Sequence, residues 1–518
     1  MLAAHLESVD PATGEVIGRF ESTPPGELPR LVERARRVQE EWAAQPLRVR
    51  CGLLSRLRDV LYARREEITE IVTRECGKPR FEALSADLMV SLDTAAYYAW
   101  HTPRLLRPET VPHHNPAVKA KSGRIVYEPC GVLGVISPWN YPVAIPMGVV
   151  IPAVAAGNAV VLKPSEFTPW CGALVRELFD QAGFPSGLVQ VVQGAGEVGA
   201  ALIEAKPDKV VFTGSVATGQ RVAEACARHL IPCVLELGGK DAMIVMADAD
   251  LEVASSAAVW GSFTNCGQAC VSVERIYVEL GVADRFTALC LAKTARLKLG
   301  PGLDPDTEVG PMIRETQVER VESQLRDAVA HGARILAGGK RRPDLGPCFF
   351  EPTVVVDVDH SMRLMHEETF GPVLAIRAVS NGEEAVCLAN DSPFGLSASV
   401  WTRDRERGWK IAAQLKVGAV MINDVMSYFG ICEAPHGGRG ASGWGKTHSR
   451  LGLMELVQVK YVDEDRLSRW PKSWWFGYDQ ELGVATDRFL EVVFAPGWRR
   501  RVSSVRGALR TVFRSHRI

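Results

Sequence analysis

Short apolar runs rich in β-branched residues recur along the middle of this 518-residue chain, and glycine or proline bounds each of them. Their length fits buried strands. Helical segments such as 171–182 and 196–205 separate several of the runs, and strands that alternate with helices favour parallel βαβ units. The runs read RIVYEP, GVLGVISPW, AVVLKPS, LVQVVQG, KVVFTG and CVLELGG. The sequence therefore predicts an α/β fold.

A helical stretch precedes these strands, and a second alternating stretch follows them. From about 27 to 100, apolar residues three and four apart lie among Arg and Glu, as in amphipathic helices. After about residue 248 the alternation resumes, with a helix predicted at 315–330 and strands at 353–358 and 373–377. This order predicts two parallel-sheet α/β domains in tandem.

Charge and apolar runs argue against two classes of function. The 60 Lys and Arg balance 61 Asp and Glu, so no overall charge draws the protein onto nucleic acid. The longest apolar stretch, 143–156, is shorter than the roughly 20 residues that span a bilayer. Twelve scattered cysteines, and an N-terminus without a signal-peptide pattern, predict reduced thiols and a cytoplasmic location.

The C-terminal segment 497–518 differs from the rest of the chain, because it contains seven arginines and no acidic side chain. Its apolar residues share one helical arc, with arginines beside it: Val502, Val505, Leu509, Val512, Phe513, then Arg506, Arg510, Arg514 and Arg517. Such a basic amphipathic helix can make peripheral contact with an anionic membrane. A helix docked on an acidic neighbour and a disordered terminus are the alternatives.

Two cysteines, Cys266 and Cys270, lie four residues apart in the string FTNCGQAC. Either thiol could be an inert core residue, because free cysteine is among the most buried residue types. The spacing also raises metal binding, but no histidine or second cysteine pair lies near enough in sequence to complete a zinc set. No metal is therefore predicted, and the spacing alone leaves the role of both thiols open.

Two other polar side chains occupy positions that suit catalysis. Glu236 lies in an apolar strand directly ahead of two glycines, and burial would raise its pKa toward that of a general base. Asn140 lies on a turn between Pro138 and Pro142, where its amide can donate to a developing oxyanion. A strand-end salt bridge for Glu236 and backbone capping by Asn140 are the alternatives.

Taken together, these residues resemble the NAD(P)-dependent aldehyde dehydrogenase superfamily. Eight motifs occur in the family's order between about 124 and 462, which makes the resemblance specific. They read PWNYP, VVLKPSE, FTGSVATG, LELGGK, FTNCGQAC, EETFGP, VGAVMIN and HGGRGASGWG. The resemblance implies an aldehyde dehydrogenase-like fold and oxidation of a small-molecule aldehyde to a carboxylic acid.

The resemblance also implies catalytic roles. Cys270 matches the nucleophile, whereas Cys266 matches no catalytic position. The Asn140 amide would stabilise the oxyanion, and Glu236 would activate the water that hydrolyses a thioester. A CoA-acylating enzyme and a non-catalytic protein that keeps the fold are the alternatives. Glu236 argues against the first, and retention of Cys270, Asn140, Glu236 and Lys163 together argues against the second.

For the cofactor, the resemblance implies NAD, with NADP as the alternative. Lys163 and Glu166 match the pair that reaches the adenosine ribose, where a carboxylate would repel a 2′-phosphate. The turn at 212–219 matches the pyrophosphate site at a helix N-terminus. A GxGxxG pattern at 194–199 is expected to be a turn that leads into a helix. The implied cofactor-binding residues are Trp139, Lys163, Ser165, Glu166, Gly214, Ser215, Gly219, Glu368 and Phe370.

Domain limits and assembly follow from the same resemblance. The predicted divisions are a dinucleotide-binding domain (1–107 and 128–238), a catalytic domain (239–453), a β oligomerisation arm (108–127 and 454–463) and a C-terminal extension with a basic tail (464–518). The arm would pair across subunits in a homodimer or homotetramer. The aromatic residues Trp470, Trp474, Trp475 and Tyr478 would pack on a neighbouring subunit, cover the channel or fill a groove on their own subunit.

Three residues depart from the family pattern near the substrate site. Ser272 is a mild change, two residues after the nucleophile. His436 replaces the common phenylalanine at the mouth of the site, and Gly148 replaces a bulky side chain of the channel. We therefore expect a wider and more polar channel.

Overall fold

A computed structural model gives the fold of this chain. It describes residues 5–469, 472 and 474–512. Four residues named above, Trp470, Phe513, Arg514 and Arg517, lie outside the described residues. Within the described part of the chain, no helix is long and apolar enough to cross a bilayer.

The chain divides into two compact units. The main unit contains Met1–Leu105 and Pro129–Gln458, and the arm unit contains Leu106–Glu128 and Val459–Ile518. Both large sheets belong to the main unit. The predicted cofactor and catalytic domains therefore fall within one compact unit, and their limits stay a prediction.

Helices dominate the first hundred residues, as the apolar spacing predicts. In the first helix, Val32, Ala35 and Trp42 recur at helical spacing and are buried. The third helix ends at Gly77, whose φ of 79° suits glycine at a helix C-terminus. The elements are β1 His5–Val9, β2 Val16–Glu21, α1 Leu28–Ala43, α2 Leu47–Ala63, α3 Arg65–Cys76, α4 Arg80–Glu82, a π-helix Ala83–Met89, α5 Val90–Leu105, β3 Glu109–Val111 and β4 Lys121–Pro129.

The first large sheet has six strands. They are β5 Val132–Ile136, β6 Ala159–Lys163, β7 Val189–Val191, β8 Lys209–Thr213, β9 Cys233–Glu236 and β17 Gly443–Trp444. Their spatial order is β17-β9-β8-β5-β6-β7, and all neighbours except β17 and β9 are parallel. Every residue of β5 and β6 is buried, as continuous apolar runs in a parallel sheet predict.

Helices connect the strands of this first sheet. They are α6 Ala144–Ala156, α7 Pro169–Gln181, α8 Gly196–Glu204 and α9 Val216–Arg228. All residues of α6 are buried, so the longest apolar stretch forms an interior helix. The GxGxxG pattern leads into α8, as predicted.

The second large sheet has seven strands, of which only β12 is antiparallel to its neighbour. Its elements are β10 Asp241–Val245, α10 Leu251–Phe263, β11 Val273–Glu279, α11 Leu280–Thr294, α12 Glu315–Ala330, β12 Arg334–Ala337, β13 Thr353–Val356, α13 Arg363–His366, β14 Val373–Val379, α14 Gly382–Asn390, β15 Ser397–Trp401, α15 Arg405–Ala412 and β16 Ala419–Ile422; α16 Ser449–Glu455 comes after β17. The order is β12-β13-β14-β11-β10-β15-β16. The predicted α/β fold with two mostly parallel sheets, one after the other along the chain, is thus confirmed.

The arm unit contains a three-stranded sheet and a helix pair. Its remaining elements are β18 Val457–Asp465, α17 Gln480–Phe494 and α18 Trp498–Val512, and the strand order is β18-β4-β3. Helix α18 buries small residues, Ser504 and Ala508, and a Cβ at Gly507 would lie 2.7 Å from Cγ of Arg488 on α17. The two helices therefore pack through a stripe of small residues on α18.

The candidate site residues come from opposite ends of the two large sheets. In the first sheet, the turn that carries Asn140 follows β5, and Glu236 is the last residue of β9. In the second sheet, Cys270 precedes β11 and Glu368 precedes β14. Open α/β sheets bind ligands at the carboxyl ends of their parallel strands, and this is the end of the first sheet where Asn140 and Glu236 lie.

Candidate active site

The main unit contains an open cleft of about 180 Å³, and residues adjoining both large sheets line it. Eight of the predicted site residues are in its lining: Trp139, Asn140, Gly214, Ser215, Glu236, Cys270, Glu368 and Phe370. The structure therefore brings together side chains that are more than 200 residues apart in sequence. Lys163, Ser165, Glu166 and Gly219 lie outside this lining, as does the described turn at 194–199.

Cys270 lies on a sharply turned loop between α10 and β11. Asn265, Cys266 and Gly267 all have positive φ values, of 50°, 55° and 71°, which is costly for the two non-glycine residues. A Cβ at Gly239 would lie 2.2 Å from the carbonyl oxygen of Cys270, so glycine is needed there. Cys266 is only 1% exposed, and the cleft lining does not include it.

The surroundings of Cys270 favour the neutral form of its thiol. Burial raises its pKa well above the usual range, and the nearby carboxylates of Asp241, Glu368 and Glu236 raise it further. A nucleophilic reaction therefore needs a base to take the thiol proton as the sulfur attacks.

The side chain of Asn140 is fixed beside the Cys270 loop. Its Nδ2 donates to the carbonyl oxygen of Gln268 at 3.1 Å. Nδ2 of Asn265 donates to the carbonyl oxygens of Asn140 and Gln268, at 2.9 and 3.1 Å. Because an amide nitrogen carries two hydrogens, the Asn140 amide can also donate to an oxyanion.

A buried ion pair that sequence reasoning missed holds the Asn140 turn. Lys78 and Asp87 have fully buried side chains, and their charged atoms are 2.7 Å apart. Nζ of Lys78 also donates to the carbonyl oxygen of Asn140 at 2.7 Å, and Oδ1 of Asp87 accepts from the backbone N–H groups of Val143 and Ala144. Nothing in the local sequence indicates that this pair holds the turn, because Lys78 and Asp87 lie more than 50 residues before the turn residues that they contact.

Glu236 is a buried carboxyl group without a hydrogen-bond partner among the described residues. Burial raises its pKa to about 8, although the positive charge of Lys446 opposes the rise. A Cβ at Gly437 would lie 2.9 Å from Oε1, so the carboxyl group is tightly enclosed. The pKa is thus raised as predicted, and the contact with Nε2 of His436 at 3.8 Å is not a salt bridge near neutral pH, because burial lowers the pKa of His436 to about 3.

A second, enclosed cavity of about 20 Å³ adjoins both Cys270 and Glu236. His436 and His448 line it, and the two rings are 5.9 Å apart. Nε2 of His436 is 3.8 Å from Oε2 of Glu236. His436 is buried beside the carboxyl group, so its predicted place at the mouth of the site is wrong.

The expected widening of the channel at Gly148 is also wrong. A Cβ at Gly148 would lie 3.3 Å from Nε2 of His448, so the imidazole fills the space that a larger side chain would take. His448 has a φ of 58°, a left-handed conformation that is strained for a residue with a side chain. No local pattern in the sequence indicates this role for His448, because it lies 300 residues after Gly148.

The loop that carries Glu368 and Phe370 is anchored to a buried ion pair. Nζ of Lys240 donates to a carboxylate oxygen of Glu274. Glu274 also accepts from the backbone N–H groups of Thr369 and Phe370. Oε1 of Glu368 accepts from the backbone N–H of Gly239 at 3.0 Å, and burial raises the pKa of Glu368 to about 7.

The remaining predicted cofactor residues lie near the carboxyl ends of β6 and β8. Nζ of Lys163, the last residue of β6, is 3.2 Å from Oε2 of Glu166. The hydroxyl of Ser165 accepts from the backbone N–H of Phe167 at 3.3 Å. Ser215 is the N-cap of α9, and the N–H of Gly219 donates to its carbonyl oxygen.

Three residues near the start of α12 also line the open cleft, and sequence reasoning missed them. They are Arg314, Gln317 and Arg320. The guanidinium of Arg314 lies 4.2 Å from the centre of the Phe167 ring. Nε2 of Gln317 donates to the carbonyl oxygen of Phe370 at 3.0 Å. These contacts could not be expected from the amphipathic pattern of the helix.

Comparison with known proteins places this site in a family. The model for the family described as "Aldehyde dehydrogenase family" matches residues 2–462. A protein of Mycobacterium ulcerans with the provisional name succinate-semialdehyde dehydrogenase (NADP+) 2 is 41% identical over 87% of this chain and 85% of its own length. The 4,4'-diapolycopene aldehyde oxidase of a Methylomonas species is 41% identical over 94% of this chain and 91% of its own length.

Solved structures agree with this fold. The betaine aldehyde dehydrogenase of Staphylococcus aureus in complex with NAD+ superposes with a TM-score of 0.86 at 34% identity, over 92% of this chain and 94% of that one. An NAD-dependent aldehyde dehydrogenase of Sinorhizobium meliloti gives a TM-score of 0.87 at 35% identity, over 91% and 93% of the two chains. The fold that the motifs imply is therefore confirmed.

Proposed function

This chain belongs to the aldehyde dehydrogenase family, and we propose that it oxidises a small-molecule aldehyde to a carboxylic acid with NAD(P)+. The observation that carries this proposal is the presence of Cys270, Asn140 and Glu236 in the lining of one cleft. These three side chains are a nucleophile, an oxyanion donor and a buried base.

In the first half-reaction, the sulfur of Cys270 bonds to the aldehyde carbon. The thiol proton passes to solvent water in the open cleft, so Glu236 stays a carboxylate for the second half-reaction. The carbonyl oxygen becomes an oxyanion, which the Asn140 amide and the backbone N–H of Cys270 stabilise. When bound, NAD(P)+ supplies the acceptor for the hydrogen and two electrons that leave the aldehyde carbon. A thioester then remains on Cys270.

In the second half-reaction, water hydrolyses the thioester. Glu236 takes a proton from the water as its oxygen bonds to the acyl carbon. The carbon–sulfur bond breaks, its electron pair returns to the sulfur, and the carboxylic acid leaves. A pKa of about 8 suits this step, because the carboxylate is then a stronger base than an exposed glutamate while remaining partly ionised near neutral pH.

The residues around the open cleft fit a dinucleotide. The carboxyl ends of parallel strands and the N-terminus of α9 form an edge suited to a phosphate group. We propose that Trp139, Gly214, Ser215, Glu368 and Phe370 hold the cofactor together with Lys163, Ser165, Glu166 and Gly219. NAD is proposed, since the Glu166 carboxylate would repel a 2′-phosphate; NADP, which the M. ulcerans relative is named for, is the alternative.

A homodimer or homotetramer is proposed from the arm unit. Strand β18 lies at the edge of its three-stranded sheet, with Val459, Tyr461 and Val462 half exposed. An exposed edge strand is a template for pairing with another chain. The limits predicted above for the cofactor domain, the catalytic domain, the arm and the extension rest on the family resemblance, and we propose them for this chain.

We propose a cytoplasmic protein whose C-terminal helix makes peripheral contact with anionic membranes. All twelve cysteines are free, as suits a reducing compartment. Helix α18 packs on α17 through its small residues, which leaves Trp498, Val502 and Val505 at 70%, 63% and 42% exposure. Exposed apolar residues beside arginines favour an interfacial helix.

Co-sedimentation with vesicles tests the membrane contact. We expect full-length protein to sediment with phosphatidylserine vesicles, and Trp498→Ser combined with Val502→Ser to lose most of this binding. Cys387→Ser, a polar change at an exposed residue on α14, is the matched control. Equal sedimentation of the double variant and the wild type would refute the contact.

The enzymatic proposal is tested by following NAD(P)H absorbance with purified protein. The panel comprises short, long and aromatic aldehydes, with NAD or NADP, and with or without CoA. Succinate semialdehyde and a long apolar aldehyde are included because two relatives carry such names. Turnover without CoA supports hydrolysis. Turnover only with CoA would support the acylating alternative. No NAD(P)H formation with any aldehyde, together with retained NAD binding, would support a non-catalytic protein.

A further inference from the structure

The enclosed cavity beside Glu236 contains buried polar atoms without partners. Both carboxylate oxygens of Glu236, Nδ1 of His436 and Nε2 of His448 have no hydrogen-bond partner among the described residues. Each of these three side chains is at least nine-tenths buried. Buried polar groups are nearly always hydrogen-bonded to protein or to ordered water. We therefore expect a small polar molecule to bind to these atoms.

The cavity has the size and the polar groups that hold a water molecule. Its volume is about 20 Å³, against the roughly 10–15 Å³ that one water needs on this measure. A buried water also needs two to four polar partners, roughly what Glu236, His436 and His448 provide together. Cys270 lines the same cavity, so a water there lies beside the atom that carries the acyl group.

Resting on the proposed function, we propose that His436 and His448 position the hydrolytic water against Glu236. They are positioning residues, because they act on the acyl group only through this water. A neutral imidazole carries one N–H donor and one acceptor nitrogen, so each ring can orient water without taking its proton. Burial lowers the pKa of His436 to about 3 and that of His448 to about 4, which keeps both rings neutral.

The backbone around His448 supports a functional role for its placement. Both His448 and Ser449 have a φ of 58°, in the left-handed region. Such strain persists only where the surrounding structure holds it, and it clusters at functional sites. The ring of Phe429 packs edge-on against both imidazoles, with ring centres 5.3 and 5.2 Å away, and so fixes their directions.

The step balances without any further reactant. The water oxygen bonds to the acyl carbon, and one water proton passes to an oxygen of Glu236. The carbon–sulfur bond breaks, and its electron pair stays on Cys270. The carboxylic acid leaves, and the proton on Glu236 restores the thiol. Throughout, the two histidines exchange hydrogen bonds and no proton.

Activated-ester hydrolysis isolates this step from the cofactor. With p-nitrophenyl acetate, Cys270 takes the acetyl group and releases nitrophenolate in a burst, and water then regenerates the thiol at the steady-state rate. We expect His436→Phe and His448→Leu each to keep the burst amplitude and to lower the steady-state rate by about tenfold or more. His436→Gln and His448→Gln, which keep a donor and an acceptor, should recover part of the rate.

The pH profile separates positioning from a structural role. The water that the histidines hold would donate to the Glu236 carboxylate, and the apolar variants lose this water, so the alkaline rise of the steady-state rate should move to higher pH. The other titratable groups that face Glu236 or its cavity are Cys270, Tyr428, Lys446 and Glu455. None of them changes in these variants, so the shift reports on the histidines.

His331→Phe is the matched control, because His331 is half exposed at the C-terminal end of α12. A double variant, His436→Phe with His448→Leu, that deacylates at the wild-type rate would overturn the proposal. Equal loss of burst and steady state, without recovery by glutamine, would also overturn it in favour of a structural role. A wild-type protein that gives no burst with the ester and no NAD(P)H with any aldehyde would instead overturn the proposed function.

Discussion

The two cavities that meet at Cys270 differ in how their polar groups are satisfied. In the open cleft of about 180 Å³, Glu368 accepts a hydrogen bond from Gly239, and Gln317 donates to Phe370. In the enclosed cavity of about 20 Å³, Glu236 and His448 keep buried polar atoms without partners. The side chains of the open cleft are therefore held in place before a large ligand binds. The polar atoms of the enclosed cavity, in contrast, would gain hydrogen-bond partners only from a small occupant.

This difference separates the two halves of the proposed reaction. Cofactor binding and thioester formation depend on the open cleft, where hydrogen bonds within the protein hold Asn140, Gln317 and Glu368. Hydrolysis depends on the enclosed cavity, where burial sets the pKa of Glu236. Variants can therefore disable the second half and leave the first intact, although Cys270 and Glu236 line both cavities.

Cys270→Ala should have the largest effect, because the sulfur of Cys270 carries the acyl group in both half-reactions of the proposed mechanism. We expect aldehyde-dependent NAD(P)H formation and ester hydrolysis to fall by at least about a thousandfold. Cofactor binding, measured by quenching of tryptophan fluorescence, should be retained. Cys266→Ala is the control and should be active. A surviving aldehyde-dependent rate in Cys270→Ala would remove Cys270 as the nucleophile.

Glu236→Gln should separate the two halves most clearly. An amide cannot accept the proton of water, so we expect the steady-state rate to fall by about a hundredfold or more. Stopped-flow absorbance should still show a first turnover of NAD(P)H, provided that hydrolysis limits the variant. Loss of both phases together would assign Glu236 to thioester formation or to the structure.

The pH dependence of hydrolysis should follow the ionisation of Glu236. Because only the carboxylate accepts a proton, the steady-state rate should rise with pH and level off above about 8, the raised pKa of this group. Well below that pH, the rate should fall about tenfold per unit. Ester hydrolysis in a series of buffers measures it, and a flat profile between pH 6 and about 9 would contradict the role of Glu236.

Glu166→Gln should have the smallest effect, confined to the open cleft. Removing the carboxylate removes repulsion of a 2′-phosphate, so kcat/KM for NADP relative to NAD should rise by about tenfold. Ester hydrolysis, which needs no cofactor, should not change. Glu177→Gln, an exposed substitution on α7, is the control. An unchanged cofactor ratio would place cofactor selection elsewhere.

Much of the fold could be predicted from the sequence. Helix α12 occupies the predicted residues 315–330, and β6 lies within the run AVVLKPS. Such elements are visible because their periodicity is local. The short edge strand β17 was not foreseen, since its two residues become a strand only by pairing with β9. Its register places Gly443 opposite Glu236.

The candidate site divides in the same way. Cys270, Asn140 and Glu236 could be named from their motifs, and the structure brings them to one cleft. The motif PHGG identifies His436 as a departure from the family pattern but does not predict its burial, because its depth depends on how the chain after β16 folds back. His448 was missed altogether.

The sequence by itself determined the alternation of strands and helices, the family and the reactive groups, because periodicity and motifs are properties of neighbouring residues. Only the tertiary structure decided which groups are buried together. The hydrogen bond from Lys78 to the Asn140 carbonyl, the filling of the space at Gly148 by His448, and the enclosure of Glu236 all depend on contacts between distant segments. Burial and the loss of water around a charge are consequences of such packing, and they set the pKa values on which the proposed hydrolysis depends.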